Sequence, residues 1–381
     1  MSQGGKIKVM QVIARMNVGG PAVIVADLMR GLDSTQFEQI LVTGYCDENE
    51  ADYLETVATD VKATRIAGLG RSISIIADLK AFIALVNKIK SEKPDVIHTH
   101  TAKAGVLGRT AVMLSRSKAV RIHTFHGHLL HGYFAGWKIK LVIAIEKFLA
   151  SHTNHLIAVG TQVKEDLLQV GIGKPSQYFV FFPGLPAPAA PSKVQSRKNL
   201  SLDINQLYCT FVGRLTQIKR PDRLLDVVAA TVARNLDIHF LVAGEGELLE
   251  SCRERAATEN LPVTFLGWRK DIDQLFAASD IAILTSDNEG IPLTLIQAAQ
   301  AGLPIVAPRV GSIADIVLDG QTGFLTSTQA GAMASALSAL VGDESLRAKL
   351  GSAGKSFAGK NFSLAKSLAD HANLYVNSQK Q

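Results

Sequence analysis

Residues 289–297 read Glu-Gly-Ile-Pro-Leu-Thr-Leu-Ile-Gln, a carboxylate and a glycine turn immediately ahead of an apolar run. Pro292 suits the first position of a helix, where no backbone donor is lost, and the run ends at Gly302. A helix starting there aims free N–H groups and its positive dipole end at the turn, and phosphate is the usual guest of such an end. Upstream, Asp280 to Ser286 reads as a short buried strand. This puts Glu289 in the loop at a strand's carboxyl end, where open α/β sheets bind ligands. An ordinary strand-to-helix junction with a solvated glutamate fits the same residues, because short motifs recur by chance.

A second group narrows the choice. Tyr208-Cys209-Thr210-Phe211-Val212 is an apolar strand running into Gly213-Arg214-Leu215, and Lys219-Arg220-Pro221-Asp222 then opens a helix at Arg223. Arg214 offers a planar fork and Lys219 a mobile point charge, a pairing suited to the several oxygens of a diphosphate; solvated surface cations are the plainer alternative. Together the two groups describe a pocket for a nucleotide diphosphate.

These residues need elements to hold them. Strands fit Lys6 to Ala14, Gln39 to Thr43, Val96 to His100, Val120 to Phe125 and His155 to Val159, each followed by a helical pattern; Gly19-Gly20 is a turn and Pro21 starts a helix through Met29. A second series runs from Tyr208, with strands near His239 to Ala243, Thr264 to Leu266, Ile281 to Leu284 and Pro304 to Ala307. Such alternation predicts an α/β fold of two doubly wound, Rossmann-like domains, each a parallel sheet with helices on both faces, facing a cleft. The expected divisions are a first domain over 1–183, a linker over 184–200 rich in proline and small residues, a second domain over 201–360 and a closing helix over 361–381.

The 381 residues, 47% of them hydrophobic, suffice for two cores. Cys46, Cys209 and Cys252 are odd in number and widely spaced, which argues against a disulfide framework and a cysteine metal site. No apolar stretch is long and uncharged enough to span a bilayer, and the N-terminus lacks a signal peptide's apolar core, so the expected location is the cytoplasm. The net charge of +6 lies in the first half: residues 1–183 carry 21 Lys and Arg against 15 Asp and Glu, residues 184–381 carry 19 of each. It concentrates between Lys103 and Lys147. Gly132 to Leu149, inside that stretch, resembles an interfacial helix, with aromatics at its start and lysines beside apolar residues. A core helix with a wet edge has the same composition. The basic excess supplies the second signal that peripheral binding needs, which adds an anionic membrane, at the inner face of the plasma membrane, to the expected partners. No recognition motif or aromatic-basic stacking pattern accompanies the charge, so nucleic acid is not among them.

Eight of the ten histidines fall between residues 98 and 155, with His98-Thr99-His100 and His123-Thr124-Phe125-His126-Gly127-His128 closing adjacent strands. His98 and His100 share one strand face, as two metal ligands do, but no carboxylate lies nearby and no metal is expected. The preferred reading is a polar cleft wall that hydrogen-bonds a substrate, with capping and surface histidines as the alternative.

Phe211-Val212-Gly213-Arg214-Leu215 with Lys219, then Ala243-Gly244-Glu245-Gly246, Phe265-Leu266-Gly267-Trp268, Ser279-Asp280 through Ser286, and Glu289-Gly290-Ile291-Pro292 together resemble the family 4 retaining glycosyltransferases of the GT-B fold. Gly19-Gly20 and Thr124 to His128 are similar to that family's other landmarks, and the motifs span nearly the whole chain in the expected order. The resemblance implies transfer of a sugar from a nucleotide diphosphate sugar, most commonly a UDP-sugar, with retained anomeric configuration and with no metal or cofactor beyond that co-substrate. The implied acceptor is a lipid-linked glycan or polysaccharide in bacterial cell-surface glycan synthesis. It makes the first domain the acceptor side, the second the donor side, and the last segment a helix that crosses back onto the first domain.

By position, the resemblance assigns Arg214 and Lys219, in the Gly213 loop, to neutralise the leaving diphosphate, helped by the N–H groups of Leu293 and Thr294. Glu289, with the backbone at Gly290 and Ile291, would bind hydroxyls of the donor sugar, and the Trp268 backbone would meet the base. His126 would line the reaction centre, and Gly19-Gly20 would let the chain approach the donor. Asp271-Ile272-Asp273 matches the Asp-x-Asp pattern of metal-dependent sugar transferases, but its place at a helix start points to N-capping. One position departs from the family: Gln297 stands where a Glu grips the ribose hydroxyls, an expected loss of about 1–3 kcal/mol in donor binding. A catalytically silent partner subunit and a sugar-nucleotide epimerase of the same fold are the alternatives.

Overall fold

The computed structural model describes residues 5–48, 50–72, 74–127, 137–189 and 191–380. It divides into two compact units, Met1–Gly184 with Leu364–Gln381, and Leu185–Ser363.

The first unit runs β1 (Ile7–Ile13), α1 (Gly20–Gly31), β2 (Phe37–Thr43), α2 (Tyr53–Thr56), β3 (Thr64–Arg65), α3 (Ile75–Glu92), β4 (Val96–His100), α4 (Ala102–Ser115), β5 (Val120–Phe125), α5 (Trp137–Ser151), β6 (His155–Ala158), α6 (Thr161–Gln169) and β7 (Tyr178–Val180). Its strands pair in parallel in the order β3-β2-β1-β4-β5-β6-β7, so the order reverses between β1 and β4. The central strands β1 and β4 are buried on both faces over most of their length, as a sheet covered on both sides requires, although Gln11, His98, Thr99 and His100 are polar. Register decides what lies together. Gln11 is level with His98, and Ile13 with His100 and Thr124, so these side chains share one face of the sheet. On that face Val9, Val96 and Ile122 pack with Ile24, Leu28, Leu374 and Tyr375.

The second unit runs α7 (Lys193–Asn199), β8 (Tyr208–Val212), α8 (Pro221–Val232), β9 (His239–Ala243), α9 (Leu249–Thr258), β10 (Val263–Gly267), α10 (Ile272–Ala278), β11 (Ile281–Ile283), α11 (Leu293–Gln300), β12 (Ile305–Pro308), β13 (Gly323–Thr326), α12 (Ala330–Gly342) and α13 (Glu344–Asn361); α14 (Leu364–Ser378) then completes the first unit. The sheet order is β10-β9-β8-β11-β12-β13, reversing between β8 and β11. Phe211, Phe240 and Phe276 fill its core at 0–2% exposure.

The 184–200 segment is not a plain linker. Its second half folds as α7, capped by Ser192, whose hydroxyl accepts from the Gln195 N–H at 3.4 Å. Arg197, 5% exposed, donates to Asp280 at 2.6 Å and to the Ala278 carbonyl at 2.9 Å; Asp280 also pairs with Lys193 and accepts the Tyr208 N–H at 2.8 Å. Local composition predicts the prolines' turns but not a helix secured by a partner 83 residues away. Short edge strands β3, β7 and β13 also lie outside the sequence expectation, having too few residues to show a period. Arg197→Ala leaves the Asp280 carboxylate buried and under-compensated, so we expect a loss of about 3 kcal/mol in urea unfolding; a loss below about 1 kcal/mol would show that α7 does not hold the unit together.

Candidate active site

The donor-type residues gather at the strand reversal of the second unit, the place where open α/β sheets bind ligands. Beyond β8, the Gly213 N–H donates to the Ala243 carbonyl at 3.0 Å and the Leu215 N–H to the Glu245 carbonyl at 2.8 Å, so the loops after β8 and β9 lie edge to edge. Gly244 has φ +142° and a Cβ there would sit 1.9 Å from the Gly213 carbonyl oxygen; only glycine admits this approach. Arg214 is exposed, and no partner holds its guanidinium among the described residues.

Two loops then become one structure. The Asp287 N–H donates to the Ile218 carbonyl at 2.9 Å, and the Thr285 hydroxyl to the Lys219 carbonyl at 3.0 Å. Arg223 donates to the Thr285 carbonyl at 2.6 Å and to Asp287 at 2.5 Å. Arg220, in the left-handed conformation at φ +53°, spans Asp222 and Asp287. The outcome is that Lys219 Nζ lies 2.5 Å from Glu289 Oε1. Lys219 is therefore an anchored cation and not the mobile point charge of the sequence expectation.

Glu289 is held from other directions. The Ser286 hydroxyl donates to its Oε1 at 2.6 Å, and its carbonyl accepts the Ser312 N–H at 3.2 Å. Gly311, at φ +52°, makes the second contact possible, since a Cβ would fall 1.9 Å from the Glu289 carbonyl oxygen. The helix begins one residue later than expected: Pro292 is the N-cap of α11, with extended φ/ψ, and not its first residue. The N–H groups of Leu295 and Ile296 bond to the Pro292 carbonyl, whereas those of Leu293 and Thr294 have no acceptor among the described residues. Gly290 and Ile291 lie partly buried in the loop ahead of them, and Gln297 is partly buried one turn into α11. Trp268 follows β10 and is 49% exposed. Asp271 occupies the N-cap of α10 without capping it, because its carboxylate faces Arg269 at 2.5 and 2.8 Å and Gln274 at 3.3 Å. Among the described residues no group of three or more His, Cys, Asp and Glu side chains could hold a metal ion.

The first unit corrects the reading of the histidines. His98, His100 and His123 are interior residues at 0–1% exposure, not a cleft wall and not surface caps. His98 is 2.7 Å from the Tyr375 hydroxyl and 2.6 Å from Thr124 Oγ1; His100 is 2.9 Å from both Gln11 Oε1 and His126 Nε2; His123 Nδ1 is 2.8 Å from Thr99 Oγ1. Burial first, then the neighbouring histidines and, for His123, Arg109, hold all three rings well below the usual histidine range, and burial takes His126 down to about 3. His126, just past β5, is partly buried and the least enclosed of the four, which keeps it as a substrate-contacting candidate. Gly19 is the N-cap of α1, where a Cβ would meet nothing nearer than 3.8 Å, so the protein's own packing does not require glycine there. Thr101, beside His100, has φ +67° and ψ 158°, a strained backbone of the kind that concentrates at functional sites. His128 and the 132–136 start of the expected interfacial helix lie outside the described residues.

Two parallel doubly wound sheets on one chain, one of them carrying a cationic cradle at its reversal, define a two-unit α/β protein of the nucleotide-binding class. Residues 18–184 match the family described as Glycosyltransferase Family 4, and residues 206–343 match Glycosyl transferases group 1. The UDP-Gal:alpha-D-GlcNAc-diphosphoundecaprenol alpha-1,3-galactosyltransferase of Escherichia coli is 32% identical over 336 residues, 85% of each chain. The capsular polysaccharide biosynthesis glycosyltransferase CapM of Staphylococcus aureus is 24% identical over 329 residues, 82% of this chain and 84% of its own. The crystal structure of Anabaena Alr3699/HepE in complex with UDP and glucose has a TM-score of 0.82 at 19% identity, covering 97% of this chain and 100% of that one. The chain belongs to the family 4 glycosyltransferases and has the GT-B fold.

The neutral histidines carry a stability consequence. Their native pKa values lie below the ordinary value of 6.5, so below that pH the unfolded chain takes up protons that the native chain refuses. Stability is complete above the unfolded pKa and falls as pH drops beneath it, by up to about 1.4 kcal/mol per pH unit for each ring. Urea midpoints at about pH 7.5 and about pH 5.5 check this; an equal or higher midpoint in acid would contradict the buried network.

Proposed function

We propose that this glycosyltransferase moves a sugar from a UDP-sugar to a lipid-linked or polysaccharide acceptor in bacterial cell-surface glycan synthesis, with retention of configuration and without a metal. The observation that carries the reading is the convergence of Arg214, the Lys219–Glu289 pair and the N–H groups of Leu293 and Thr294, unpartnered among the described residues, at the β8/β11 reversal. The donor named for the Escherichia coli relative is UDP-Gal, and its acceptor carries GlcNAc on diphosphoundecaprenol. Both names support these donor and acceptor classes.

Breaking the anomeric C–O bond leaves negative charge on the departing diphosphate. Arg214, Lys219 and the start of α11 supply fixed positive charge and N–H donors where that charge develops, the role a divalent cation plays elsewhere. Glu289, oriented by Lys219 and Ser286, is placed to accept from hydroxyls of the donor sugar. In this reading the acceptor hydroxyl attacks on the leaving-group side and a phosphate oxygen takes its proton, so no protein carboxylate acts as nucleophile. In this reading Trp268 meets the base and Gln297 the ribose, and His126 and the Gly19-Gly20 turn are the substrate-contacting candidates on the first unit.

Peripheral contact with an anionic bilayer also belongs to the proposal. Among the described residues no helix is long and apolar enough to cross a membrane. On α5, Leu141, Ile145 and Phe148 are 52%, 38% and 55% exposed at i, i+4 and i+7, beside exposed Lys138, Lys140 and Lys147. On α3, Ile75, Ile76, Leu79 and Ile83 are more than half exposed.

Calorimetric titration with nucleotide sugars in the presence of a chelator tests the donor site. One UDP-sugar is expected to bind, Arg214→Ala to weaken it about tenfold to a hundredfold, and Gln297→Glu to tighten it about tenfold; no binding by any nucleotide sugar would favour a silent subunit. For the membrane, Leu141→Ser with Phe148→Ser should at least halve cosedimentation with phosphatidylglycerol vesicles. Equal sedimentation by the variant would remove α5 from the proposal.

A further inference from the structure

The interior of the first unit contains a run of side-chain hydrogen bonds that has a direction. Gln11 Nε2 donates to the Tyr375 hydroxyl at 3.1 Å, and that hydroxyl lies 2.7 Å from His98 Nδ1. The other end of the same carboxamide, Gln11 Oε1, is 2.9 Å from His100 Nε2, and His100 Nδ1 is 2.9 Å from His126 Nε2. Gln11, His98, His100 and Tyr375 are fully buried. His126 Nδ1 is itself enclosed and has no partner among the described residues.

A neutral imidazole has one N–H and one lone pair, and what one nitrogen bonds to decides what the other offers. Burial holds His100 and His126 neutral. A carboxamide oxygen can only accept, so His100 carries its proton on Nε2 and its lone pair on Nδ1. His126 must then donate from Nε2, which leaves Nδ1 a bare acceptor. At the far end, Tyr375 donates to His98 Nδ1 and His98 Nε2 donates to Thr124, whose hydroxyl rotates to suit. Turning the Gln11 carboxamide over would reverse every proton in the run and make His126 Nδ1 an enclosed N–H with no acceptor. An orphaned donor is rarer in native interiors than an under-used acceptor.

We propose that Gln11, His100 and Tyr375 are positioning residues that lock His126 in its Nε2–H tautomer, so that Nδ1, enclosed in this structure, presents a bare lone pair to a substrate hydroxyl that displaces its present cover. An acceptor at this atom favours a hydroxyl and disfavours a phosphate or carboxylate oxygen, which brings only lone pairs. The C-terminal helix thereby sets the hydrogen-bond polarity of a residue 249 positions earlier in the chain. The identity of that hydroxyl as part of a sugar donor or acceptor rests on the proposed function; the tautomer does not.

Two-bond proton–nitrogen NMR of the full chain labelled with 15N-histidine reads the tautomer directly, with His126 assigned by its loss in His126→Asn. In the wild type we expect Nε2 protonated and Nδ1 unprotonated; a protonated Nδ1 overturns the proposal. In Tyr375→Phe, the carboxamide loses its fixed acceptor, and both His126 tautomers should appear; Gln11→Leu should do the same. Where transfer is measurable, kcat/KM for sugar transfer should fall about tenfold, the scale of one misdirected hydrogen bond. An unchanged wild-type tautomer in both variants would sink the positioning role. Should the variants not fold, the wild-type spectrum alone decides between the two polarities. A correct tautomer in a protein that binds no nucleotide sugar would count against the proposed reaction and leave this inference standing.

Discussion

The loops at the β8/β11 reversal meet in an ion pair. Lys219 and Glu289 come from loops 70 residues apart, and nothing in either loop alone would bring them within 2.5 Å. Their meeting is arranged by backbone: Thr285, Asp287 and Arg223 lace the two loops together beneath the pair, and Gly311 lets a third segment close on the Glu289 carbonyl. With Lys219 and Glu289 only 19% and 11% exposed, desolvation offsets much of their attraction, so the pair contributes geometry more than stability. Beside the pair, the Arg214 guanidinium and the Leu293 and Thr294 N–H groups have no partner among the described residues.

The first unit is organised around a different constraint, the need to satisfy polar groups in an interior. Period-two alternation along β4 turns His98 and His100 to one face and Thr99 to the other. Each ring then needs a partner at both nitrogens, and the partners come from β1, β5, the residue just past β5 and α14. Such a network is costly when incomplete and specific when complete, because a single missing hydroxyl leaves a buried nitrogen unmet. Rings that look like ligands in sequence are, for the most part, structural.

The long central strands and the cradle motifs were legible because their signals are local. An apolar run ending in glycine predicts a strand and its loop, as at Tyr208 to Gly213, and Pro292 located the start of α11 to within one residue. What escaped was whatever depends on a distant partner. The prolines after Gly184 conceal α7, whose anchor is Asp280; Asp271 looks like a cap until Arg269 is seen to occupy it; the histidine pairs look exposed until Tyr375 covers them. Gly244 and Gly311 entered as parts of a motif or not at all. Their reason is the backbone of another loop passing through the space a side chain would fill.

Because Leu374 and Tyr375 follow the second unit in the chain, the order of synthesis matters. On the ribosome, residues 185–363 emerge whole and can complete their own sheet, whereas the earlier-made first unit waits with its Val9, Val96 and Ile122 surface and its polar histidine face uncovered until α14 emerges. The second half of the protein can therefore reach its native state before the first, and a nascent first unit offers chaperones an apolar surface that the finished protein does not.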